Sequence, residues 1–227
     1  MIVLAVDTAA EFCNIAIMKN ENPLCEMSFK NRGTHSKNIV QNIDYCCNLA
    51  GIKISEIDLF AGGVGPGNFT GVRIGVSTLK GLAYVLKKPL VGISSLDASA
   101  LGFRHCEIPV LSVIDARRQE VYYSFYRFKN FVLDYKTEEK VGRPENISGI
   151  SGLESIIITG NASFMYRDIF DSLFERIYYP PVWMNRINPL LMCELAVDKY
   201  TMDNKDETFG IVPNYIRRSN AEENLKK

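Results

Sequence analysis

The sequence of 227 residues is long enough for one large domain or two small ones, and with 47% hydrophobic and 23% charged residues it has the composition of a compact folded protein. Its 26 basic and 26 acidic residues give a formal net charge of zero, which argues against a chain that holds nucleic acid by charge alone. No apolar run approaches the roughly 20 residues of a membrane span, and the N-terminus reaches Asp7 too early for a signal peptide, so we expect a cytoplasmic protein without membrane attachment.

The cysteines and histidines lack the spacing of a metal site. None of the six cysteines belongs to a CxxC pair, and several lie inside apolar runs, where cysteine behaves as a small hydrophobic residue. The two histidines, His35 and His105, are far apart in the sequence and have no neighbouring ligand at metal spacing. The sequence therefore predicts reduced thiols and no zinc site.

The N-terminal part of the chain predicts three strands and a helix. The apolar run at residues 2–7 is followed by two further runs with strand character, at 13–19 and 23–30, and the three together predict a meander. Thr34 is then placed to cap a helix that runs to about residue 50, where a glycine follows as its stop.

Residues 58–94 combine an apolar strand, a glycine-rich turn, a helix and a second strand. The strand at 58–64 ends in the sequence GPG, which predicts a sharp turn because glycine adopts backbone angles closed to other residues and proline fixes φ. Asn68 or Thr70 then offers a side-chain oxygen to cap a helix at about 69–87.

The predicted helix at 69–87 has two apolar faces. One face carries Val72, Val76, Leu79, Ala83 and Leu86, and the neighbouring face carries Ile74, Thr78, Leu82 and Val85. One face is expected to pack on the sheet of its own domain, and the other on a second helix or a partner chain. Glycines at 71, 75 and 81 each cost about 0.8–1 kcal/mol relative to alanine in a helix interior, which predicts close backbone approach. We therefore expect a protein–protein interface here, with a helix buried wholly inside its own domain as the alternative.

The second half of the chain repeats the first. Placing Asp115 on Asp7 is a shift of 108 residues, and the same shift lays 121–125 on 13–17 and 132–138 on 24–30 without a gap. Further predicted elements are helices near 95–103, 145–152, 162–174 and 188–200 and a strand at 155–160. A βββαβα unit repeated after about 100 residues predicts two similar lobes. Mixed sheets covered by helices predict an α/β fold, with an N-terminal lobe at 1–107, a C-terminal lobe at 108–210 and a polar tail at 211–227.

The two lobes, each opening with a strand, an aspartate turn and a strand, resemble the superfamily of actin, Hsp70 and sugar kinases, whose duplicated lobes are ribonuclease H-like. The segments DTAAEFCNIAI, GTHSKNIVQNI, GGVGPGNFTGVRIGVSTLKGLA and SVIDARRQEVYYSFYR, in this order and spacing, narrow the resemblance to the bacterial TsaB (YeaZ) family. The resemblance covers nearly the whole chain. It implies a role in making threonylcarbamoyladenosine (t6A) at adenosine 37, beside the anticodon of tRNAs that read codons starting with A.

The resemblance also implies partners. Members of this family act with a catalytic paralogue, TsaD, and an ATPase, TsaE, so the expected role is that of a non-catalytic scaffold that binds and activates TsaD. The same surface is expected to support a homodimer when TsaD is absent, and tRNA is expected to be contacted only through the complex. The residues expected to contact the partner lie on the two helices of the first lobe: His35, Ile39, Ile43, Cys46, Val72, Ile74, Val76, Leu79 and Ala83.

The resemblance further indicates what is missing. In TsaD the strand after the glycine-rich unit leads into HxxxH, two histidines that hold a metal ion, whereas the matching positions here read Ser95-Leu-Asp-Ala-Ser99. Serine hydroxyls are poor substitutes for imidazole, and Asp97 alone supplies one strong ligand. We therefore expect no metal, no cofactor and no transferase chemistry in this chain.

The two aspartate turns are where the superfamily binds nucleotide phosphates. Asp7 and Thr8 stand at the first turn, Asp115 and Arg117 at the second, and neither turn contains the glycine that lets backbone amides approach a phosphate. These four residues are weak candidates for a nucleotide site. For each aspartate we favour an acid that satisfies turn amides over a Mg²⁺ ligand, and we expect weak or absent ATP binding.

Two other classes of function stay open. An enzyme of the same superfamily, either a nucleotide-dependent phosphotransferase or a metallopeptidase, requires glycine-bearing phosphate turns or paired metal ligands. An independent RNA-binding module requires a basic face, which a balanced charge provides only if folding segregates the charges.

Overall fold

The computed structural model describes residues 1–30, 35–147, 153–203 and 206–217, and within them the chain forms two mixed β-sheets and five α-helices. The first sheet contains β1 (Ile2–Asp7), β2 (Phe12–Lys19), β3 (Asn22–Lys30), β4 (Leu59–Gly65) and β5 (Leu90–Ser94). The second contains β6 (Val110–Asp115), β7 (Val121–Lys129), β8 (Val132–Lys136), β9 (Lys140–Gly142), β10 (Ile156–Thr159) and β11 (Ile177–Tyr178). The helices are α1 (His35–Leu49), α2 (Phe69–Leu86), α3 (Ser95–Leu101), α4 (Arg167–Leu173) and α5 (Pro189–Asp203).

The first sheet has the strand order β3-β2-β1-β4-β5, with the β1–β2–β3 meander antiparallel and β4 and β5 parallel to β1. Every residue of β1 is buried, as expected for a strand whose sheet is covered on both faces. On β4, Gly62 faces Leu79 of α2 while the adjacent Gly63 faces Asp7, so the strand presents alternate residues to the two covering layers. Helices α1 and α2 pack on this sheet, and α5 packs across all five of its strands.

The second sheet has the order β8-β7-β6-β10-β11, which repeats the order of the first. Strand β8 pairs with residues 126–129 of β7, and β9 pairs with residues 121–123 of the same strand. The predicted α/β fold with two mixed sheets is confirmed. The gap-free shift of 108 residues is wrong beyond the turn, because Asp7 pairs with Asn14 in the first hairpin whereas Asp115 pairs with Val121 in the second. The second turn is one residue shorter, which moves β7 out of the predicted alignment by one position.

The main hydrophobic core joins the two sheets. It includes Leu4 and Phe60 of the first sheet, Ile114 of the second and Met192 of α5, all at most 2% exposed. Helix α5 follows the second sheet in the chain but packs on the first, and α3 follows the first sheet but packs on β6. A smaller cluster around Phe170 belongs to the second sheet alone. Because each of these two helices packs on the sheet of the other half of the chain, the surface between the sheets is buried. The lobe boundary at residue 107 stays a prediction.

The C-terminal segment caps the free edge of β5. The Asp206 carboxylate accepts a hydrogen bond from the Leu90 amide at 3.1 Å, and the Glu207 carboxylate accepts one from the Gly92 amide at 2.8 Å. The Glu207 amide in turn donates to the Leu90 carbonyl at 2.8 Å. These bonds satisfy backbone groups that an edge strand otherwise leaves open to pairing with another chain.

The first residues of the segment predicted to be a polar tail, 211–227, contact the rest of the chain. Ile211 is 6% exposed, and the Asn214 amide donates to the Val64 carbonyl at 2.8 Å. Of the apolar side chains here, that of Ile211 is buried and that of Val212 is 68% exposed, while the Asn214 side-chain amide donates to Glu139 at 2.6 Å. Residues 218–227 lie outside the described part of the structure.

Two helices of the second half differ from the prediction. The helix expected at 145–152 is a single 3₁₀ turn at Pro144–Asn146, and 148–152 lie outside the described residues. Helix α4 begins at Arg167 because residues 162–166 form turns. No helix within the described ranges is long and apolar enough to cross a membrane.

Candidate functional site

The first aspartate turn, directly after β1, is closed by the chain itself. Asp7 is fully buried, and its carboxylate accepts hydrogen bonds from the Ala9 amide at 2.9 Å and from the Ser95 hydroxyl at 2.7 Å. Thr8 is also buried, and its hydroxyl donates to the Gly71 carbonyl at 2.7 Å. Both side chains therefore have partners within the chain, in the arrangement expected of an acid that satisfies turn amides.

The N-terminal end of α2 packs directly on this turn through glycines. A Cβ added to Gly67 would lie 2.3 Å from the Ala9 carbonyl oxygen, and one added to Gly71 would lie 2.1 Å from the Thr8 carbonyl oxygen. Both distances are far inside van der Waals contact, and the blocking atoms belong to the backbone. The glycines are needed here so that helix and turn can touch.

Asn68 caps α2 as predicted, since its side chain accepts a hydrogen bond from the Gly71 amide at 3.0 Å. Its own amide donates to the Ala9 carbonyl at 2.6 Å. The predicted close approach also holds at Gly75, where an added Cβ would lie 2.4 Å from a hydroxyl of the turn, but it is wrong for Gly81, where nothing lies within 4 Å. The backbone amides of Asn68 and Gly71 are thus already hydrogen-bonded within the chain.

Burial raises the pKa of Asp7 from 3.8 to about 6, although the hydrogen bonds from Ser95 and Ala9 oppose the rise. Because the folded-state pKa lies above the unfolded value, this group stabilises the fold fully below about pH 4, and the contribution is lost as the pH rises through about 6. The change corresponds to about 3 kcal/mol.

We expect Asp7→Asn to remove this pH dependence. Between about pH 4 and pH 7.5, the unfolding free energy of the unmodified chain should fall by about 3 kcal/mol relative to that of the variant. Urea unfolding of both proteins across this range measures the difference. A difference that does not change with pH would contradict the assignment of a raised pKa to Asp7.

The second aspartate turn is partly exposed and has its own partners. The Asp115 carboxylate accepts a hydrogen bond from the Arg117 amide at 2.8 Å and lies 3.3 Å from the guanidinium of the same residue, whose side chain is 79% exposed. The Asp115 amide donates to Asn161 at 3.0 Å. The Arg217 guanidinium donates to the Ala116 carbonyl at 2.7 Å. Asp115 therefore satisfies turn amides as Asp7 does, and a nucleotide contact by Arg117 stays a prediction.

Helix α3 carries the serines that stand where TsaD was expected to have histidines. The Ser95 hydroxyl donates a hydrogen bond to Asp7, as described above. Ser99 is 5% exposed and lies in the space between the sheets. Asp97 lies between them and accepts hydrogen bonds from side chains of the second sheet. Among the residues that the structure describes, no group of three or more His, Cys, Asp or Glu side chains is placed to hold a metal ion.

A polar network that sequence reasoning missed joins α3 to the second sheet. The Asp97 carboxylate accepts a hydrogen bond from the Tyr126 hydroxyl at 2.7 Å and lies 2.6 Å from the Lys136 ammonium. Lys136 also pairs with Glu139 at 3.0 Å, and Glu139 accepts a hydrogen bond from Ser94 at 2.6 Å. Burial raises the pKa of the Tyr126 phenol, and the Asp97 charge adds to the effect. Asp97 and Tyr126 are 29 residues apart in sequence, and Ser94 and Glu139 are 45 apart, so these contacts have no local sequence pattern.

Most of the residues expected to contact a partner lie inside the chain. Seven of them are at most 4% exposed: Ile39, Ile43, Cys46, Val72, Val76, Leu79 and Ala83. They pack in the core that covers the first sheet, so they cannot reach a partner of the folded chain. Helical spacing found the apolar faces but did not tell which face meets the sheet. His35 begins α1, and its side chain, like Thr34, lies outside the described part of the structure.

The apolar residues that do reach the surface lie on the outer sides of α1 and α2. Val85 on the second face of α2 is 75% exposed, and Ile74 on the same face is half-buried. On α1, Val40, Tyr45 and Leu49 are each more than half exposed. The two helices pack against each other. Tyr45 and Leu49 are four residues apart and share one side of α1, whereas Val40 lies on another side. We call the region with Tyr45, Leu49, Ile74 and Val85 the α1–α2 surface.

The C-terminal segment covers the opposite flank of α2. The Arg73 guanidinium donates to the Tyr215 hydroxyl at 2.7 Å and lies over the Phe69 ring at 3.7 Å. About two turns further along α2, the Lys80 ammonium donates to the Phe209 carbonyl at 3.1 Å. Because this flank is occupied, the flank that carries Ile74 and Val85 is the one left for another molecule.

Comparisons with known proteins agree with this architecture. The family model described as TsaD, tRNA N6-adenosine threonylcarbamoyltransferase, matches residues 31–225. The tRNA threonylcarbamoyladenosine biosynthesis protein TsaB of Haemophilus influenzae is 37% identical over 232 residues, which cover 95% of this chain and 93% of the relative. The TsaB of Bacillus subtilis is 28% identical over 98% of this chain and 96% of its own length.

Solved structures agree on the fold. YeaZ from Pseudomonas aeruginosa superimposes with a TM-score of 0.82 at 24% identity, covering 94% of this chain and 99% of that one. The ROK hexokinase from Thermus thermophilus superimposes with a TM-score of 0.50 at 8% identity over 88% of this chain and 100% of that one. The predicted likeness to the fold of a sugar kinase is confirmed. With one relative at 37% identity along almost its whole length and the TsaD family model matching most of the sequence, the chain belongs to the TsaB (YeaZ) family, within the wider family of TsaD.

Proposed function

We propose that the chain takes part in the formation of t6A on tRNA as a non-catalytic partner of TsaD. The observation that carries the proposal is that the positions where this fold places its metal and phosphate ligands are occupied by internal packing. Ser95 is bonded to Asp7, and Gly67 and Gly71 hold α2 against the first turn. Internal hydrogen bonds and packing take the place of ligand contacts at these positions, while the apolar α1–α2 surface stays exposed.

The α1–α2 surface is the proposed docking site for TsaD. Its exposed residues Val85, Tyr45 and Leu49 have the composition of a contact region, since aromatic and aliphatic side chains dominate the buried centre of protein interfaces. TsaD is built on the same fold family, and the corresponding helices of the two chains would form a four-helix contact. This proposal replaces the internal residues of the same two helices, such as Val76 and Leu79, with their exposed neighbours.

Two further partners follow from this role. An isologous contact through the α1–α2 surface would give a homodimer in the absence of TsaD, because the same patch serves both copies. TsaE would join the complex of this chain with TsaD, and tRNA would be held by the complex, since the net charge of zero gives this chain no general attraction for phosphates.

Reconstitution of the modification from purified components tests the proposal. TsaD, TsaE, a source of threonylcarbamoyl-adenylate and unmodified tRNA are combined with and without this chain, and t6A is quantified by mass spectrometry of digested tRNA. We expect t6A only when the chain and TsaD are both present, and none with the chain as the sole protein. Modification at full rate without the chain, or turnover by the chain alone, would contradict a scaffold role.

A further inference from the structure

The C-terminal segment at 206–217 is held by two different kinds of contact. Its first half, 206–211, is anchored by the edge cap on β5 and by the buried side chain of Ile211. The Ile211 amide also donates to the Glu207 carbonyl at 2.7 Å. Among its last four residues, 214–217, which we call the latch, none is buried. Because few apolar contacts hold the latch, its opening costs less free energy than the opening of the anchored half.

The latch bridges the two sheets at the end where both aspartate turns lie. On the side of the first sheet, the Asn214 amide donates to the Val64 carbonyl on β4 at 2.8 Å. On the side of the second sheet, the Asn214 side chain donates to the Glu139 carboxylate at 2.6 Å, and the Arg217 guanidinium donates to the Ala116 carbonyl at 2.7 Å. The latch therefore ties the two sheets together at this end by polar contacts.

The second aspartate turn contains three consecutive residues in the left-handed region. Residues 117–119 have φ values of 61°, 55° and 60°. Residues other than glycine are strained in this region, and such a conformation persists only where the surroundings hold it. The Arg217 guanidinium contacts the turn on both sides, since it donates to the Ala116 carbonyl before these residues and pairs with the Glu120 carboxylate after them. With its side chain 16% exposed, Arg217 holds the two ends of the strained turn together.

We propose that the latch is a conformational switch, which opens as a unit while the anchored half stays bound, and whose opening releases the second aspartate turn from its left-handed conformation. Val212, at the junction of the two halves, is 68% exposed, so the latch moves without uncovering a buried side chain there. Once Arg217 has left, relaxation of the turn offsets part of the free energy of the broken hydrogen bonds. The inference does not depend on the role in t6A formation, because none of these residues belongs to the α1–α2 surface.

Amide hydrogen exchange of the full chain, followed by NMR, separates the parts of this switch. The Asn214 amide reports on the latch and the Ile211 amide on the anchored half, while the Ala116 and Glu120 amides, which are hydrogen-bonded within the turn, report on the turn. We expect the protection of the Asn214 amide, relative to an unfolded chain, to be at least about tenfold lower than that of the Ile211 amide. Equal protection of these two amides would overturn the proposal, because the segment would then open only as a whole.

Arg217→Ala tests whether the latch holds the turn. We expect exchange of the Ala116 and Glu120 amides to become about tenfold faster, as for the loss of one charge-assisted hydrogen bond, while the Ile211 amide keeps its rate. Arg127→Ala is the matched control, since Arg127 is 60% exposed and pairs with Asp134 at the other end of β7. This control should leave the turn unchanged. Unchanged exchange of the turn amides in Arg217→Ala, or equal acceleration by the control, would contradict the proposal.

Asn214→Ala tests whether the latch opens as a unit. The change removes the side-chain hydrogen bond to Glu139 but touches no residue of the turn. If the latch opens as a unit, exchange of the Ala116 and Glu120 amides should become faster in this variant too, with the Ile211 amide again unchanged. An effect confined to residue 214 itself would show that Arg217 holds the turn without the rest of the latch, and would overturn the switch.

Discussion

Val85→Glu is expected to weaken association of the chain with TsaD by about a hundredfold and to stop t6A formation at micromolar protein concentrations. Val85 is 75% exposed in the folded chain, so glutamate is solvated there and the fold should be kept. In the proposed complex the same carboxylate would be buried in an apolar contact without a counter-ion, which is the costly arrangement. The effect is measured by titrating TsaD with each protein and by the reconstituted modification assay.

Val132→Glu is the matched control. Val132 lies on β8 of the second sheet, away from the α1–α2 surface, and is 67% exposed. The same chemical change at a similarly exposed valine should leave both TsaD binding and modification unchanged. If Val132→Glu weakened binding as much as Val85→Glu, the effect would come from added charge and the α1–α2 surface would lose its support.

Gly71→Ala is expected to lower the unfolding free energy by about 3 kcal/mol, although the change adds only one methyl group. The new Cβ would lie 2.1 Å from the Thr8 carbonyl oxygen, so either α2 or the first aspartate turn must move. Because Thr8 is buried and bonded to the Gly71 carbonyl, that movement also breaks a hydrogen bond. Urea unfolding followed by circular dichroism measures the loss.

Gly81→Ala on the same helix should have the opposite sign. An added Cβ at Gly81 meets nothing within 4 Å, so the substitution gains the helix propensity of alanine, about 0.8–1 kcal/mol. The pair therefore compares one chemical change in two environments of one helix. Equal effects of the two substitutions would show that α2 does not rest on the turn as described.

The order of elements and the duplicated sheets were predictable because strands and helices have local signals. The run at 58–94 carries a continuous apolar strand, a turn made of glycine and proline, and the capping residue Asn68, and each signal acts within a few residues. Of the two capping residues predicted, Asn68 and Thr70, the structure shows Asn68 in this role, bonded to the Gly71 amide.

The features that depend on contacts between distant segments were not predictable. Helical spacing placed both apolar faces of α2, but whether Val76 or Val85 meets the sheet depends on strands that lie elsewhere in the sequence. The sequence does not indicate that the Asn14 side chain lacks a hydrogen-bond partner, since the strand that carries it has the pattern of an ordinary apolar run. The edge cap by Asp206 joins segments more than 100 residues apart.

The central claim is that this chain binds TsaD through the α1–α2 surface. It is tested most directly by light scattering, which measures the mass in solution of the chain by itself and of its mixture with TsaD. We predict a complex that contains both proteins, a loss of that complex with Val85→Glu, and no loss with Val132→Glu. A chain that stays separate from TsaD at micromolar concentrations, with or without TsaE, would contradict the account.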